Sequence, residues 1–335
     1  MKLKNTIYPL FAYFLIFVSC QHNPLDVDLE KKNIDIQQFD LDSVYLKSSL
    51  LEAKVAHAEM VKILGPIYLY DIGLNVKQNI DSLFHLGIKQ FYQNEYILSL
   101  ENEKKNLKPE LDVELNKLSS AFAYLKHHFE SIKIPKKIVF INQMFGETQV
   151  DDSIISVGLE KYLPPDSPTI KQIPSDQLHD WQKKQMDISF LARDLVLKWI
   201  QVHLFKEMNE NLAQHLVQAG KILYVLNASF PKASDAFILR YNSDQYRWAK
   251  SNEAMFWDFL VKEEMLFKDN MRDKANFLNE GPYTIGLPEE SPDRMGQYIG
   301  FIMVKQYMQN NKNLSLPALL KINFNKILQA YKIGK

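Results

Sequence analysis

The 335-residue sequence predicts an α+β fold that is mostly α-helical, with a small antiparallel sheet packed by helices. Over most of the second half of the chain, apolar residues recur at intervals of three and four, which is the period of an amphipathic helix. Only a few short segments alternate or are rich in β-branched residues, as strands are. The composition, 46% hydrophobic and 24% charged, is typical of a globular chain.

The sequence begins with a predicted lipoprotein signal peptide over residues 1–19. Two lysines within the first four residues precede an apolar run, 7–18, that is shorter than the roughly 20 residues of a membrane span. Cys20, the single cysteine of the sequence, follows a serine at the end of this run and resembles the lipidated cysteine of a bacterial lipobox. A free cysteine inside an anchor helix is the alternative interpretation.

Cleavage before Cys20 would leave a short tether over residues 20–32 and a single domain over residues 33–335. Acyl chains such as palmitate on this cysteine contribute about 0.8 kcal/mol per buried CH₂, so that several chains make a stable membrane anchor. Loss of the two signal-peptide lysines changes the formal charge from 0 to −2. This balance offers no basic excess to phosphates and excludes a nucleic-acid partner. We expect a cell-envelope protein that faces the periplasm from the inner or the outer membrane, with the cell surface as the alternative location.

The strands are predicted before the two prolines at 164 and 165, and helices dominate after them. In chain order, the patterns predict a strand over 33–39, a helix from 42 to about 65, a helix over 78–98, a loop or exposed helical end over 101–108, a helix over 109–129, and strands over 136–142 and 153–158. The later patterns predict helices over 176–205, 209–227, 243–264, 291–311 and 315–331.

The motifs of the common hydrolases are absent from the sequence. It contains no His-Glu-x-x-His, no Gly-x-Ser-x-Gly and no phosphate-binding Gly-x-x-x-x-Gly-Lys, and its eight histidines include no pair at i and i+4. Because the mature body would lack cysteine, cysteine catalysis is excluded. We therefore predict a protein that is not an enzyme and that holds neither a metal nor a cofactor.

Several residues of the C-terminal half are candidates for binding or for structural roles. For each of them a structural role, as a core residue, an ion-pair partner or a helix-packing glycine, is favoured over catalysis, since no acid–base set converges in the sequence. Two glycines one helical turn apart would let another element approach the backbone closely. The candidates are His215, Lys221, Glu253, Trp257, Arg294, Gly296 and Gly300.

An ordered set of segments is spread over most of the mature chain. It comprises Cys20, Asn-Pro-Leu-Asp-Val-Asp at 23–28, Gly-Leu-Glu-Lys-Tyr-Leu at 158–163, Ala-Gly-Lys-Ile-Leu-Tyr at 219–224, Gly-Pro-Tyr-Thr at 281–284 and Ser-Pro-Asp-Arg-Met-Gly at 291–296. This set resembles the family of the gliding motility lipoprotein GldB. The resemblance implies a lipid-anchored envelope protein that is required for gliding motility. Its partners would be other proteins of the gliding and secretion machinery.

The same family is distantly similar to predicted zincin-type zinc peptidases. In those, a His-Glu-x-x-His helix is followed by a Glu-Gly that supplies the third ligand. A spacing-based alignment places Arg193–Asp194 on the first motif, Leu197 on its second histidine and Ala219–Gly220 on the Glu-Gly. Because arginine and alanine do not ligate zinc, the resemblance implies a degenerate zincin-like scaffold. The strand over 153–158 would then be an edge strand that pairs with an extended peptide.

These expectations lead to two functions of different classes. The favoured one is a non-catalytic scaffold or binding component of the gliding and secretion machinery. The alternative is a zincin-like metallopeptidase or another periplasmic hydrolase, in which the fold would bring together dispersed residues such as His215, Glu253 and Arg294. A structural lipoprotein without a cleft of its own is a third possibility.

Overall fold

The computed structural model describes residues 23–29, 32–47, 49–64, 82–206 and 210–334. Over these residues the chain is mostly helical and carries a four-stranded mixed sheet, which confirms the α+β class. The signal peptide and Cys20 lie outside the described residues. The strands are β1 Gln37–Asp40, β2 Lys137–Phe140, β3 Gln149–Val150 and β4 Ile154–Val157.

The helices fall into two groups, before and after the sheet. The first group is α1 Leu41–Lys47, α2 Leu50–Leu64, α3 Ser82–Gln93, α4 Glu95–Lys104 and α5 Lys108–His128. The second group is α6 Pro168–Gln172, α7 Asp180–Lys184, α8 Leu191–Leu204, α9 Leu212–Ser229, α10 Asp235–Leu239, α11 Ser243–Ser251, α12 Glu253–Lys262, α13 Met271–Leu278, α14 Met295–Asn310, α15 Leu316–Lys321 and α16 Phe324–Ala330.

The direction of the strands corrects the expectation of an antiparallel sheet. The strand order is β1-β2-β4-β3, and both β1–β2 and β2–β4 are parallel. Only the two-residue β3 runs antiparallel, beside β4. The helices α1 to α5 separate β1 from β2, and a long helical connection of this kind lets a chain return in the same direction.

The strand over 153–158 was expected at an edge of the sheet, but β4 lies inside it. It pairs with β2 on one side and with β3 on the other, and all four of its residues are buried. Ile155 and Val157 are fully covered, because the sheet carries apolar cores on both faces. On this side of β4, the edge strand of the sheet is β3.

The charged stretch over 101–108 is not the loop or exposed end that was expected. Helix α4 runs through it to Lys104, and a short 3-10 turn over 105–107 leads into α5. Glu101 and Lys104 are only 6% and 8% exposed. Their burial is possible because the Lys104 ammonium pairs with Glu101 and with Asp42.

Several predicted helices are divided by a capping residue. Asn94 separates α3 from α4 and accepts a hydrogen bond from the Tyr96 N–H at 2.9 Å. Asn252 lies between α11 and α12, and Asn323 caps α16 after the break that follows α15. At Asn94 and Asn323 the new helix start is stabilised because the asparagine side chain accepts a free N–H group. The Asn252 side chain instead donates to the carbonyl oxygen of Trp248 at 2.9 Å.

Helix α9 lies at the centre of the larger core and packs most closely against α14. Where the two cross, a Cβ added to Gly220 would overlap the carbonyl oxygen of Gly300, and one added to Gly300 would overlap the carbonyl of Leu216. One turn earlier on α14, a Cβ on Gly296 would lie 2.8 Å from the oxygen of Phe277. The backbones can approach this closely only because these positions are glycine.

Candidate functional site

A polar cleft of about 270 Å³ opens beside the first turns of α8, next to the edge of the sheet that carries β3. The segments that precede β3 and follow β4 form one wall, and α8 forms another. Four basic and three acidic side chains face it. These are Lys161, Arg193, Lys198, Arg240, Glu147, Asp194 and Glu280.

Arg193 forms the floor of this cleft and is only 2% exposed. Its Nε and Nη2 donate to the carbonyl oxygen of Ile238 at 3.1 and 2.7 Å, and its Nη1 donates to Asp194 at 2.8 Å. Burial lowers the pKa of Arg193, and the charges of Arg294 and Arg240 lower it further. The guanidinium still carries its charge at neutral pH, since arginine titrates far above it.

Asp194 lies between two arginines. Besides Arg193, it forms an ion pair with the Nε of Arg240 at 3.2 Å, and the hydroxyl of Tyr162 donates to it at 3.4 Å. Arg240 ends α10 in the left-handed conformation, with a φ of 58°, and its guanidinium lies 5.0 Å from the ring centroid of Phe190. Both carboxylate oxygens of Asp194 thus face donors, and Arg193 and Arg240 are held in fixed positions.

Arg294 extends this chain of charges behind the cleft. It is buried, its Nε forms an ion pair with Asp293 at 3.1 Å, and its Nη1 reaches Glu280 at the cleft wall at 3.5 Å. Burial disfavours its charge, but the two carboxylates outweigh burial, so that the pKa of Arg294 is raised. Within the described part of the chain, its Nη2 has no hydrogen-bond partner. Arg193, Arg240 and Arg294 therefore form a buried ion-pair network with Asp194, Asp293 and Glu280 beside a small open space.

The zincin-like alignment is only partly compatible with this geometry. Arg193, Asp194 and Leu197 do line one cleft. Gly220 lies instead at the α9–α14 crossing, against Gly300 and Val304. No group of three or more His, Cys, Asp or Glu side chains among the described residues could hold a metal ion. The zincin-like resemblance therefore stays a prediction.

A second polar cluster, which sequence reasoning missed, lies at the carboxyl ends of the parallel strands. Lys104 donates to Asp42 at 2.5 Å and to Glu101 at 2.7 Å. Asp42 also accepts from the Tyr92 hydroxyl at 2.6 Å and from the backbone N–H of Asn142 at 2.8 Å. Ligand sites of parallel sheets form at this end of the strands, where the chain leaves the sheet.

Glu160, three residues after β4, completes this cluster. Its Oε1 accepts the N–H groups of Gln143 and Phe145 at 2.8 and 3.2 Å, from a loop in which Met144 and Phe145 adopt φ values of 50° and 62°. A Cβ at Gly158 would overlap this carboxylate, so any larger residue there would displace the Glu160 side chain. Its other oxygen, Oε2, finds no hydrogen-bond partner among the described residues. Burial raises the pKa of Glu160.

Glu101 is the group in this cluster that can exchange a proton near neutral pH. Burial and the charge of Asp42 raise the pKa of Glu101 to about 7. Burial disfavours the charge on Lys104, but the surrounding carboxylates outweigh it and raise its pKa. An acid and a base held together in this way are typical of catalytic sites, but also of buried ion-pair networks.

The other predicted residues lie around the C-terminal segment rather than at the cleft. Glu253 accepts the hydroxyls of Tyr298 and Tyr331, both at 2.8 Å, and the N–H of Gly334 at 3.3 Å. The ring of Trp257 contacts that of Tyr331 with centroids 5.0 Å apart.

Lys221 fixes the same part of the chain from α9. Its ammonium donates to the carbonyl oxygens of Ile322 at 2.6 Å and of Leu320 at 3.2 Å, where α15 gives way to α16. Burial lowers the pKa of Lys221. The segment 320–334 is thus held against α9, α12 and α14 by contacts with Lys221, Glu253 and Trp257.

His215 has other neighbours. It lies in the first turn of α9, and burial, followed by the charge of Lys274, lowers the pKa of its ring. His203, near the end of α8, bonds the carbonyl oxygen of Asp151 at 3.1 Å and packs on Trp199. The structure thus gives His215, Glu253 and Arg294 separate partners, and the dispersed set of the hydrolase alternative is not assembled through their contacts.

Comparison with known proteins identifies one family. The family model described as gliding motility protein GldB matches residues 21–333. Neither the curated proteins nor the solved structures gave a significant match. Among the helices of the described residues, none has the length and apolar character that crossing a bilayer requires. Because the match covers nearly the whole sequence, the chain belongs to the family of the gliding motility protein GldB.

Proposed function

We propose that this chain is a lipid-anchored, non-catalytic component of the gliding machinery that binds a partner at the arginine-lined cleft. Family membership supports the link to gliding motility. The lipobox-like position of Cys20 supports the anchor, since acyl chains on a cleaved amino end would hold the body at the periplasmic face of a membrane. The partner would be another envelope protein of the gliding and secretion machinery.

The ion-pair chain Arg193–Asp194–Arg240 is the observation that carries the binding role. A general base needs a carboxylate with free oxygens, and those of Asp194 are engaged by two guanidinium groups and by Tyr162. Fixed guanidinium groups are suited to a carboxylate, because they present paired donors in a rigid geometry. An acidic or C-terminal carboxylate of a partner segment matches this cleft best.

The neighbouring strand β3 supplies a second element of recognition. It has two residues and, among the residues that the structure describes, pairs with β4 alone, so its outer side is an edge of the sheet. Glu147 and Thr148, which lead into β3, line the cleft. An extended segment lying in the cleft would pass this edge, where backbone groups can pair by strand addition.

A matched pair of arginine variants tests this role. Arg240→Gln removes a cleft guanidinium that is 11% exposed, and Arg247→Gln removes one that is 73% exposed and pairs with Asp244 on its own helix. Each variant would replace the native gene, with protein abundance checked by immunoblot. We expect Arg240→Gln to reduce colony spreading and the recovery of cross-linked envelope partners, and Arg247→Gln to leave both unchanged. Normal spreading and recovery with Arg240→Gln at native abundance would exclude the cleft as the binding site.

The anchor is tested separately. We expect Cys20→Ala to move the protein from the membrane to the soluble envelope fraction and to stop gliding. Mass spectrometry of the native protein should find an acylated cysteine at the amino end. An uncleaved or unacylated amino end would exclude this part of the proposal.

A hydrolase remains the second candidate because of the buried Asp42–Lys104–Glu101 set. Glu101, with a pKa raised to about 7, has the proton affinity of a general acid or base. Elemental analysis after native purification addresses the metallopeptidase form, and stoichiometric zinc would favour it. Peptide cleavage that is lost in Glu101→Gln would establish catalysis and replace the binding proposal.

A further inference from the structure

The residues that follow the proposed lipid attachment site are fixed to the body of the protein. The Asn23 side chain donates to the carbonyl oxygen of Pro231 at 2.7 Å and accepts the N–H of Leu25 at 3.0 Å. Leu25 is buried in the larger hydrophobic core. The chain is thus anchored three residues after Cys20, where an unattached spacer would leave the body free to move.

Further contacts continue this attachment. Asp26 accepts the Tyr124 hydroxyl at 3.2 Å and lies 3.8 Å from the ammonium of Lys232. Ile34 exchanges two hydrogen bonds with Ser119 on α5. The amino-terminal segment is therefore held at several points, and loss of one contact would not release it.

The length of the chain between Cys20 and Asn23 limits how far the body can lie from its lipid. Three residues span at most about 11 Å when fully extended. The anchoring residues Pro231 and Lys232 follow directly after the carboxyl end of α9. That end of α9 must therefore lie within about one lipid headgroup layer of the acyl chains.

Asn23, Pro231 and Lys312 line one groove, and Phe230, Pro231 and Lys232 line a neighbouring one. We propose that the face formed by these five residues, hereafter the anchor face, rests on the phospholipid bilayer. The inference builds on the proposed acylation of Cys20 and goes beyond it, because it fixes the orientation of the whole body. The bilayer, rather than a protein, is the occupant because the lipid-bearing chain ends on this face.

The chemistry of the anchor face fits a bilayer surface. A shallow groove of about 750 Å³ lies beside Pro231, with the apolar side chains of Phe230 and Phe237 in its wall and Lys117 and Lys232 at its rim. Lys232 is 80% exposed. Apolar groups flanked by ammonium groups match the boundary between acyl chains and phosphate headgroups. Asp235 on this side is neutralised by Lys305 at 2.6 Å.

The proposed orientation directs the opposite end of α9 away from the membrane. A helix of 18 residues is about 27 Å long. At its amino end, the Leu212 N–H bonds Lys268, just ahead of α13, on which Arg272 is exposed. The two ends of α9 therefore provide one position near the bilayer and one far from it.

Single-cysteine labelling tests the orientation on the lipidated full-length protein. The acylated thiol is blocked and the sequence has no other cysteine, so Lys232→Cys and Arg272→Cys each accept one fluorophore. The labelled proteins are reconstituted in phosphatidylethanolamine–phosphatidylglycerol vesicles containing headgroup-nitroxide lipid. We expect quenching several-fold stronger at position 232 than at 272. Lys232→Cys removes one ammonium of the anchor face, so the lipid anchor is what keeps this labelled protein on the vesicle. The fold should be retained, since the pair of Lys232 with Asp26 is long and solvated.

Mass spectrometry of the same samples distinguishes a failure of the proposed orientation from a failure of the proposed lipid anchor. An acylated protein with equal quenching at both positions, or stronger quenching at 272, would overturn the orientation and leave the anchor intact. A protein without lipid would overturn the anchor itself and the orientation with it. As a further control, Asn23→Ala with Leu25→Ser should release the segment and bring the two quenching values together, with the fold checked by circular dichroism.

Discussion

Gly220 on α9 and Gly300 on α14 are in direct backbone contact, and a side chain at either position would overlap a carbonyl group of the other helix. This crossing joins two long helices of the larger core, of 18 and 16 residues. Because the atoms in the way are backbone atoms, neither helix can relieve the overlap by a rotamer change.

The first prediction concerns this crossing. Gly220→Ala should lower the free energy of unfolding by about 3 kcal/mol, since overpacking a tight core forces backbone shifts. Gly87→Ala is the matched control, because Gly87 lies exposed in α3 with open space around its Cα. That change should be neutral or stabilising by about 1 kcal/mol through helix propensity. Urea unfolding measures both, and equal midpoints for the two variants would contradict the crossing.

The second prediction concerns Glu253. Glu253→Gln weakens the hydrogen bonds from Tyr298, Tyr331 and the Gly334 N–H, and should cost about 1 to 3 kcal/mol of stability. The effect should be coupled to Tyr331→Phe, so that the double variant loses less than the sum of the single ones. Limited proteolysis should show earlier cleavage within 320–334. Additive losses with unchanged proteolysis would mean that Glu253 does not hold this segment.

The third prediction uses the raised pKa of Glu101. The folded protein binds this proton more tightly than the unfolded chain, whose carboxyl titrates near 4.5. Its contribution to stability is therefore full below about pH 4.5 and is lost as the pH rises to about 7, by up to about 3 kcal/mol. The stability of the native protein minus that of Glu101→Gln should fall across this range in urea titrations. A constant difference would show that the carboxyl titrates normally.

The fourth prediction concerns His128, whose contribution to stability changes with pH in the opposite direction to that of Glu101. Burial, and then the nearby His127, lower the pKa of His128 from 6.5 to about 4. The neutral ring is favoured in the folded state, so its contribution is present above about pH 6.5 and is lost as the pH falls toward 4. His128→Gln should remove this acid-side loss, as compared with the native protein at pH 7 and pH 5. Measuring differences separates His128 from Glu101, which titrates over an overlapping range.

Helices with a strong period could be predicted closely, and pairing between distant strands could not. The apolar spacing over 109–129 anticipates α5 Lys108–His128 almost to the residue. The segments of β2 and β4 were also recognised, but their parallel direction depends on the intervening helices, which no local pattern encodes. The buried pair Glu101 and Lys104 was misjudged because charge in sequence usually indicates exposure, whereas here each charge compensates the other.

The candidate sites show the same limit. Arg294, Gly296 and Gly300 could be recognised as candidates from the sequence, because arginine and glycine are unusual within an apolar helical pattern. The Asp42–Glu101–Lys104–Glu160 cluster could not, since its members come from three distant segments that meet only when the sheet forms. A single weak sign was available, the i, i+3 pair of Glu101 and Lys104 near the end of a predicted helix.

The pairing of β1 with β2 has a consequence for how this protein is made. Gln37 lies opposite Lys137, one hundred residues later in the chain. At roughly 5 to 20 residues per second, the ribosome needs several seconds to supply the second strand after the first. During that interval β1 has no neighbour and must stay unassociated until β2 follows. We therefore expect refolding from urea to be slow, because it depends on closure of this long loop.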